Sequence, residues 1–174
     1  MNNPYKLNIS IVPIFVIVAI ALGAFYLFKN GDSIFNFSGA PEIRRLEGFP
    51  TVINTEKILD KKRVLIKSQD ELNAFLNEVD DSGYVTLKEN INFDKEHLIA
   101  VSSGTFDEQG HTIKIRKLYF DKEKNVLLVS IRQVDPGDTC DVEMTKNLAV
   151  DIVAISKTDL NIEYERVKEV DECN

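Results

Sequence analysis

The chain has 174 residues, 44% of them apolar, and a formal charge of −7 from 28 acidic and 21 basic side chains. That acidic balance repels nucleic acid and anionic lipid surfaces, so neither is expected to bind the folded part. Two histidines and two cysteines, with no C-x-x-C or H-E-x-x-H, give no zinc-site or redox pattern, so no metal and no cofactor is expected.

Residues 1–8 hold Lys6 as their one charged side chain and read as a cytoplasmic leader. The run 9–28, ISIVPIFVIVAIALGAFYLF, carries no charge. At 1.5 Å per residue it reaches roughly the 30 Å thickness of a bilayer core, which makes it a transmembrane anchor. A cleaved signal peptide is the competing reading, with Ala19 and Ala21 as a small-residue site. Cleavage there would leave the apolar stretch 22–28 exposed at the new terminus, which favours the uncleaved anchor. Lys6 before the run, against Lys29 and Asp32 after it, places the N-terminus inside and the remainder outside the cell membrane. Leader and anchor contain one Lys and no acid, so the rest carries 20 basic and 28 acidic residues, −8.

Residues 29–50 mix Gly31, Gly39, Pro41, Gly48 and Pro50 with scattered apolar positions and read as a spacer. Arg44 and Arg45 are expected there as solvated charges. A single domain follows over 51–174, a length that can bury one core.

Arg63 to Lys67 has the look of a strand. Ser68 then opens a helix with a capping box, Glu71 standing three residues on, and Leu72, Phe75, Leu76 and Val79 form one apolar stripe. Asp80 to Gly83 ends it. Strands are expected over 97–101, 112–120, 126–134, 148–156 and 162–170. The parity change between Ile115 and Leu118 predicts a bulge near Arg116 and Lys117, and Asp121 to Asn125 a hairpin loop. Asp135 to Asp138 predicts a turn in which Pro136 fixes φ and Gly137 takes a positive one. The fold class is α+β and mainly β: antiparallel strands in a sandwich or barrel with one packed helix.

Catalysis finds little support. Ser102 and Ser103 precede Gly104 without a G-x-S-x-G elbow, and neither His97 nor His111 has a companion to form a triad, so no catalytic residue is assigned. A hydrolase with an unrecognised site ranks last. The carboxylates of Asp135, Asp138, Asp141 and Glu143 miss the EF-hand spacing and read as a solvated turn. No small-molecule site is apparent. Cys140 and Cys173 bracket the last two strands; they can pair in an oxidising compartment or stand as two thiols in a reducing one.

Several stretches together resemble the C-terminal domain of the PrcB family, named for a subunit of a spirochaete surface protease complex. They are the helix SQDELNAFL, the segment NFDKEHLIAV from Asn92 to Val101, Gly104, and Gln109-Gly110-His111 in the place of a G-G-Y. Pro136-Gly137-Asp138-Thr139-Cys140 and Val170-Asp171-Glu172-Cys173 complete the pattern. The chain departs from it at Gln109 and His111, and at Asn147, where a proline is common. Phe25 stands where a lipobox would need cysteine, which removes lipid anchoring. The resemblance implies a Cys140–Cys173 disulfide and a non-catalytic extracytoplasmic module that associates with, or stabilises, a secreted subtilisin-like protease or another envelope protein. The partner-binding loops would hold Gly104, Gln109, Gly110 and His111 on one side and Pro136, Gly137 and Asp138 on the other. The alternative is a protease inhibitor that inserts the same loops into an active-site cleft.

Overall fold

The computed structural model describes residues 41–80 and 82–173. The leader, the apolar run 9–28 and the start of the spacer lie outside them, and no helix among the described residues is long and apolar enough to cross a membrane.

The described residues form eight strands and one helix in the order β1 (Arg44–Arg45), β2 (Val52–Asn54), β3 (Lys62–Ile66), α1 (Gln69–Val79), β4 (Glu96–Phe106), β5 (Thr112–Asp121), β6 (Val126–Pro136), β7 (Asn147–Ser156) and β8 (Asn161–Asp171). They form two sheets. The first runs β1-β7-β4-β3, with β2 also paired to β7, and the second runs β5-β6-β8.

The first sheet is the middle layer. From one face Leu98, Ala100, Val150 and Ile152 pack with Ile66 and with Leu72, Phe75 and Val79 of the helix. From the other, Ile99, Val101, Ala149, Val153 and Ile155 meet Ile113, Leu118, Leu127, Val129 and Ile131 of the second sheet. Burial on both faces explains why β7 reads as an almost unbroken apolar run and not as a half-buried alternation.

The helix forms as its sequence predicts. Ser68 Oγ accepts from the Glu71 amide at 3.2 Å, but the Glu71 carboxylate accepts from the Lys67 amide at 2.6 Å, one residue earlier than a capping box requires. The expected bulge lies between Ile115 and Lys117.

Four expectations need correction. The strands are not all antiparallel: β6 and β8 run parallel, from Val126↔Asn161 to Pro136↔Asp171. The chain leaves β6, passes along β7 in the other sheet and returns, so β6 and β8 point the same way. The strand expected over 97–101 continues to Phe106 through an irregularity between Ser102 and Thr105. Gly137 is not among the positive-φ residues; it is needed because a Cβ there would stand 2.9 Å from the Asp171 carbonyl oxygen.

The fourth concerns Arg44 and Arg45, placed in the spacer as solvated charges. They form β1 against Ala154 and Val153 of β7, and the next residue, Leu46, is in the core. Arg44 binds Glu96 at 2.9 and 3.1 Å and also contacts Glu89. Arg45 reaches between the sheets to Asp151, at 3.0 and 3.1 Å, and donates to the Ile115 carbonyl at 2.6 Å. Asp151, only 6% exposed, also accepts from the Ile115 amide at 2.7 Å. Burial pushes the Asp151 carboxyl above its usual range, against the pull of Ile115 and Arg45.

Removing one member of such a pair costs more than the pair is worth, because the other is left uncompensated. Asp151→Ala, which also strands the Ile115 amide, is expected to lower the unfolding free energy by about 2 to 4 kcal/mol. Asp151→Asn, which keeps an acceptor, should cost clearly less. Denaturant unfolding of the two variants decides this, and equal losses would contradict the role given to the Ile115 amide.

Candidate functional site

The two segments expected to bind a partner meet at one end of the second sheet. Gly110 lies against β6 so closely that a Cβ there would be 3.2 Å from the Pro136 side chain and 3.4 Å from Val142. The Gln109 amide donates to the Glu143 carbonyl at 2.9 Å. Asn147, fully buried, ties the same loops through its side-chain amide, which donates to the Glu108 and Thr145 carbonyls at 2.8 and 2.7 Å. That use of an amide accounts for an asparagine where the resemblance would place a proline.

The disulfide fastens this end. Cys140 and Cys173 are bonded at an S–S distance of 1.96 Å and a sequence separation of 33. Around it the Gly137 amide donates to the Asp171 carbonyl at 2.7 Å, the Cys140 amide to the Gly137 carbonyl at 3.0 Å and the Thr139 hydroxyl to the Glu172 carbonyl at 2.6 Å. The turn is therefore Gly137 to Cys140, two residues later than the sequence implies, with Pro136 the last residue of β6. Asp138 on the turn, and Asp141, Glu143 and Met144 on the segment after it, are exposed, Met144 at 74%.

Gly104 does not belong to this surface. It is buried at φ +85° in the β4 irregularity, where a Cβ would be 3.1 Å from both the Leu59 oxygen and the Lys61 nitrogen. Ser102 and Ser103 are likewise committed, their hydroxyls accepting from the Lys62 amide at 3.2 Å and the Ala149 amide at 3.0 Å.

His111 is buried too. Its ring stacks on Phe106 at 3.5 Å between centroids, and its Nδ1 lies 2.9 Å from Asp135. Nε2 has no hydrogen-bond partner and is 3.6 Å from Glu108, beyond hydrogen-bond reach. Asp135 also accepts from Gln133 at 2.8 Å and Lys168 at 2.6 Å, and Arg166 donates to Gln133 at 3.1 Å. Asp135 is therefore a buried member of a polar cluster and not the solvated turn acid that its sequence neighbours suggest. The cluster's one signal in the sequence is parity: Arg166 and Lys168 share a face of β8 with Ile162 and Tyr164. His97, buried elsewhere on β4, is held below the usual histidine range by burial and by Lys67 and Lys157. Among the described residues no group of three His, Cys, Asp or Glu side chains could hold a metal ion.

Comparison with protein-family models, curated proteins and solved structures finds no match for this chain.

Burial raises the Asp135 carboxyl, but hydrogen bonds from Lys168, Gln133 and His111 outweigh it and hold it at about 2. The unfolded chain therefore takes up this proton first as pH falls from an ordinary 3.8. Asp135 contributes its full stabilisation above that pH and loses it as pH drops towards 2. Asp135→Asn is expected to lower the denaturation midpoint at pH 7 and to converge with the parent near pH 2. Urea unfolding across that range is the measurement; parallel curves would contradict it.

Proposed function

We propose that the chain is a membrane-anchored, extracytoplasmic, non-catalytic binding module. It presents the joined loops 107–111 and 137–146 to a protein partner, a secreted subtilisin-like protease or another envelope protein. The observation that carries this reading is the Cys140–Cys173 disulfide beside that surface. Structural disulfides persist in oxidising compartments, and this one stiffens exposed loops without filling a core. Loops braced on a sheet are where recognition concentrates. The exposed carboxylates of Asp138, Asp141 and Glu143 around Met144 give the surface an acidic rim and an apolar anchor, a usual arrangement for an interface.

Loop-closure entropy puts the disulfide's contribution at about 3 to 4 kcal/mol for a separation of 33. Mass spectrometry of full-length protein from its native membranes, alkylated before and after reduction, should find both cysteines blocked until reductant is added. Free thiols at both would overturn the proposed location. Affinity capture from the same membranes should recover a partner that Asp138→Lys with Met144→Asp loses. If no protein is enriched, the binding-module reading falls.

A further inference from the structure

The second sheet has two edges, β5 and β8, and only β5 is interrupted by a bulge, between Ile115 and Lys117. At β5 the outward backbone groups of Ile115 are occupied, its amide by Asp151 and its carbonyl by Arg45. At β8 nothing comparable happens: this eleven-residue strand pairs with β6 along its whole length, and among the described residues no strand covers its other side. It contains no Gly and no Pro, and its register has no bulge. Proteins blunt a long straight edge with Pro, bulges or charged side chains, because its unpaired amides and carbonyls template another strand; β8 relies on charges alone, which select among partners by sign. The disulfide that closes onto Cys173 and the bond from the Gly137 amide to Asp171 hold its end in line.

Side chains along that edge specify what can pair there. Register places Glu163 and Glu165 on the outer face beside Leu128 and Ser130, with Val167 next in the row and 51% exposed. Glu163 touches Lys124 only at 3.9 Å, both being exposed, whereas Glu169 is taken by Arg132. A second β8 brought alongside with its outer face on the same side would set acid against acid, which is unfavourable; a strand with Lys or Arg at alternate positions would meet opposite charge.

We propose that β8 is a strand-addition site for an extended basic segment of a partner protein. The inference rests on the binding-module reading and names a second surface of it, continuous with the loop cluster at Asp171. Main-chain hydrogen bonds supply the affinity, and Glu163 and Glu165 the selection.

Hydrogen exchange of the full chain tests this with a peptide of alternating Thr and Lys about eight residues long, a typical strand length. Protection of amides over 161–171 is expected. A Thr-Glu peptide, and a Thr-Lys peptide N-methylated at every residue so that it has no backbone N–H to donate, should not protect them. Glu163→Lys with Glu165→Lys should weaken the Thr-Lys peptide at least about ten-fold and admit the Thr-Glu one. Glu165→Gln, a milder change, should fall between. Equal protection by both charged peptides, protection only elsewhere, or β8 protection that rises with protein concentration without peptide would overturn the proposal. A partner still captured from membranes by the double variant would leave the binding module standing and remove β8 from it. Peptide protection with no partner captured would do the reverse.

Discussion

Asp151 sets the constraint on which the rest of this fold depends. It sits on the face of β7 where its neighbours Ala149 and Val153 are apolar, so its charge must be answered on the spot. Ile115 and Arg45 answer it, and they come from the two ends of the problem. Ile115 is at the β5 bulge, where the strand bends and turns its backbone groups away from β6. Arg45 is on a two-residue strand that would have little reason to persist alone. One carboxylate therefore joins the second sheet to the first, holds Arg45 of β1 and occupies the Ile115 amide on the edge of β5. Burial holds its carboxyl above the usual range even against Ile115 and Arg45, so desolvation is not fully offset. The pair is better understood as fixing which strands meet than as a large source of stability.

Because that corner is closed, the sandwich is asymmetric. On the opposite side β3 and β8 come together as edges, with the Arg63 guanidinium over the Tyr164 ring at 5.8 Å, and burial pushing the Tyr164 hydroxyl up to about 12. A cation over an aromatic face is a modest contact, and no ladder of backbone bonds joins the two strands. Recognition by backbone pairing thus has one long candidate edge in the second sheet, and its far end is where the disulfide and the loop cluster stand.

How much of this was legible in the sequence follows from which features leave a period. The helix was, through Ser68 and the stripe from Leu72 to Val79, and so was the β5 bulge, because a parity change is the mark of an extra residue. The direction of β8 was not: a strand alternates with period two whether its neighbour is parallel or antiparallel. Nor was β1, since two residues carry no period at all, and the paired arginines looked like any exposed charges. Glycine misled in two places for one reason. Gly104 read as a residue of a binding loop and Gly137 as a turn residue, while at each a backbone atom stands about 3 Å from where a Cβ would be. The pairing of Cys140 with Cys173 came from a family resemblance, because two cysteines alone leave it open.

The same reasoning explains the buried polar cluster at the loop end. A sheet that packs apolar side chains along its inner face must change character where its partner layer runs out, and here the change falls after Ile131. Gln133 and Asp135 continue the inward parity of β6, and Arg166 and Lys168 that of β8, so polar groups meet polar groups in register. His111 and Phe106 close the stack from the loop side. The result is a firm base built from ion pairs and hydrogen bonds beneath exposed loops. An apolar plug would hold those loops equally well, but it would not fix the register of a parallel strand whose last residues carry the disulfide; specific hydrogen bonds do.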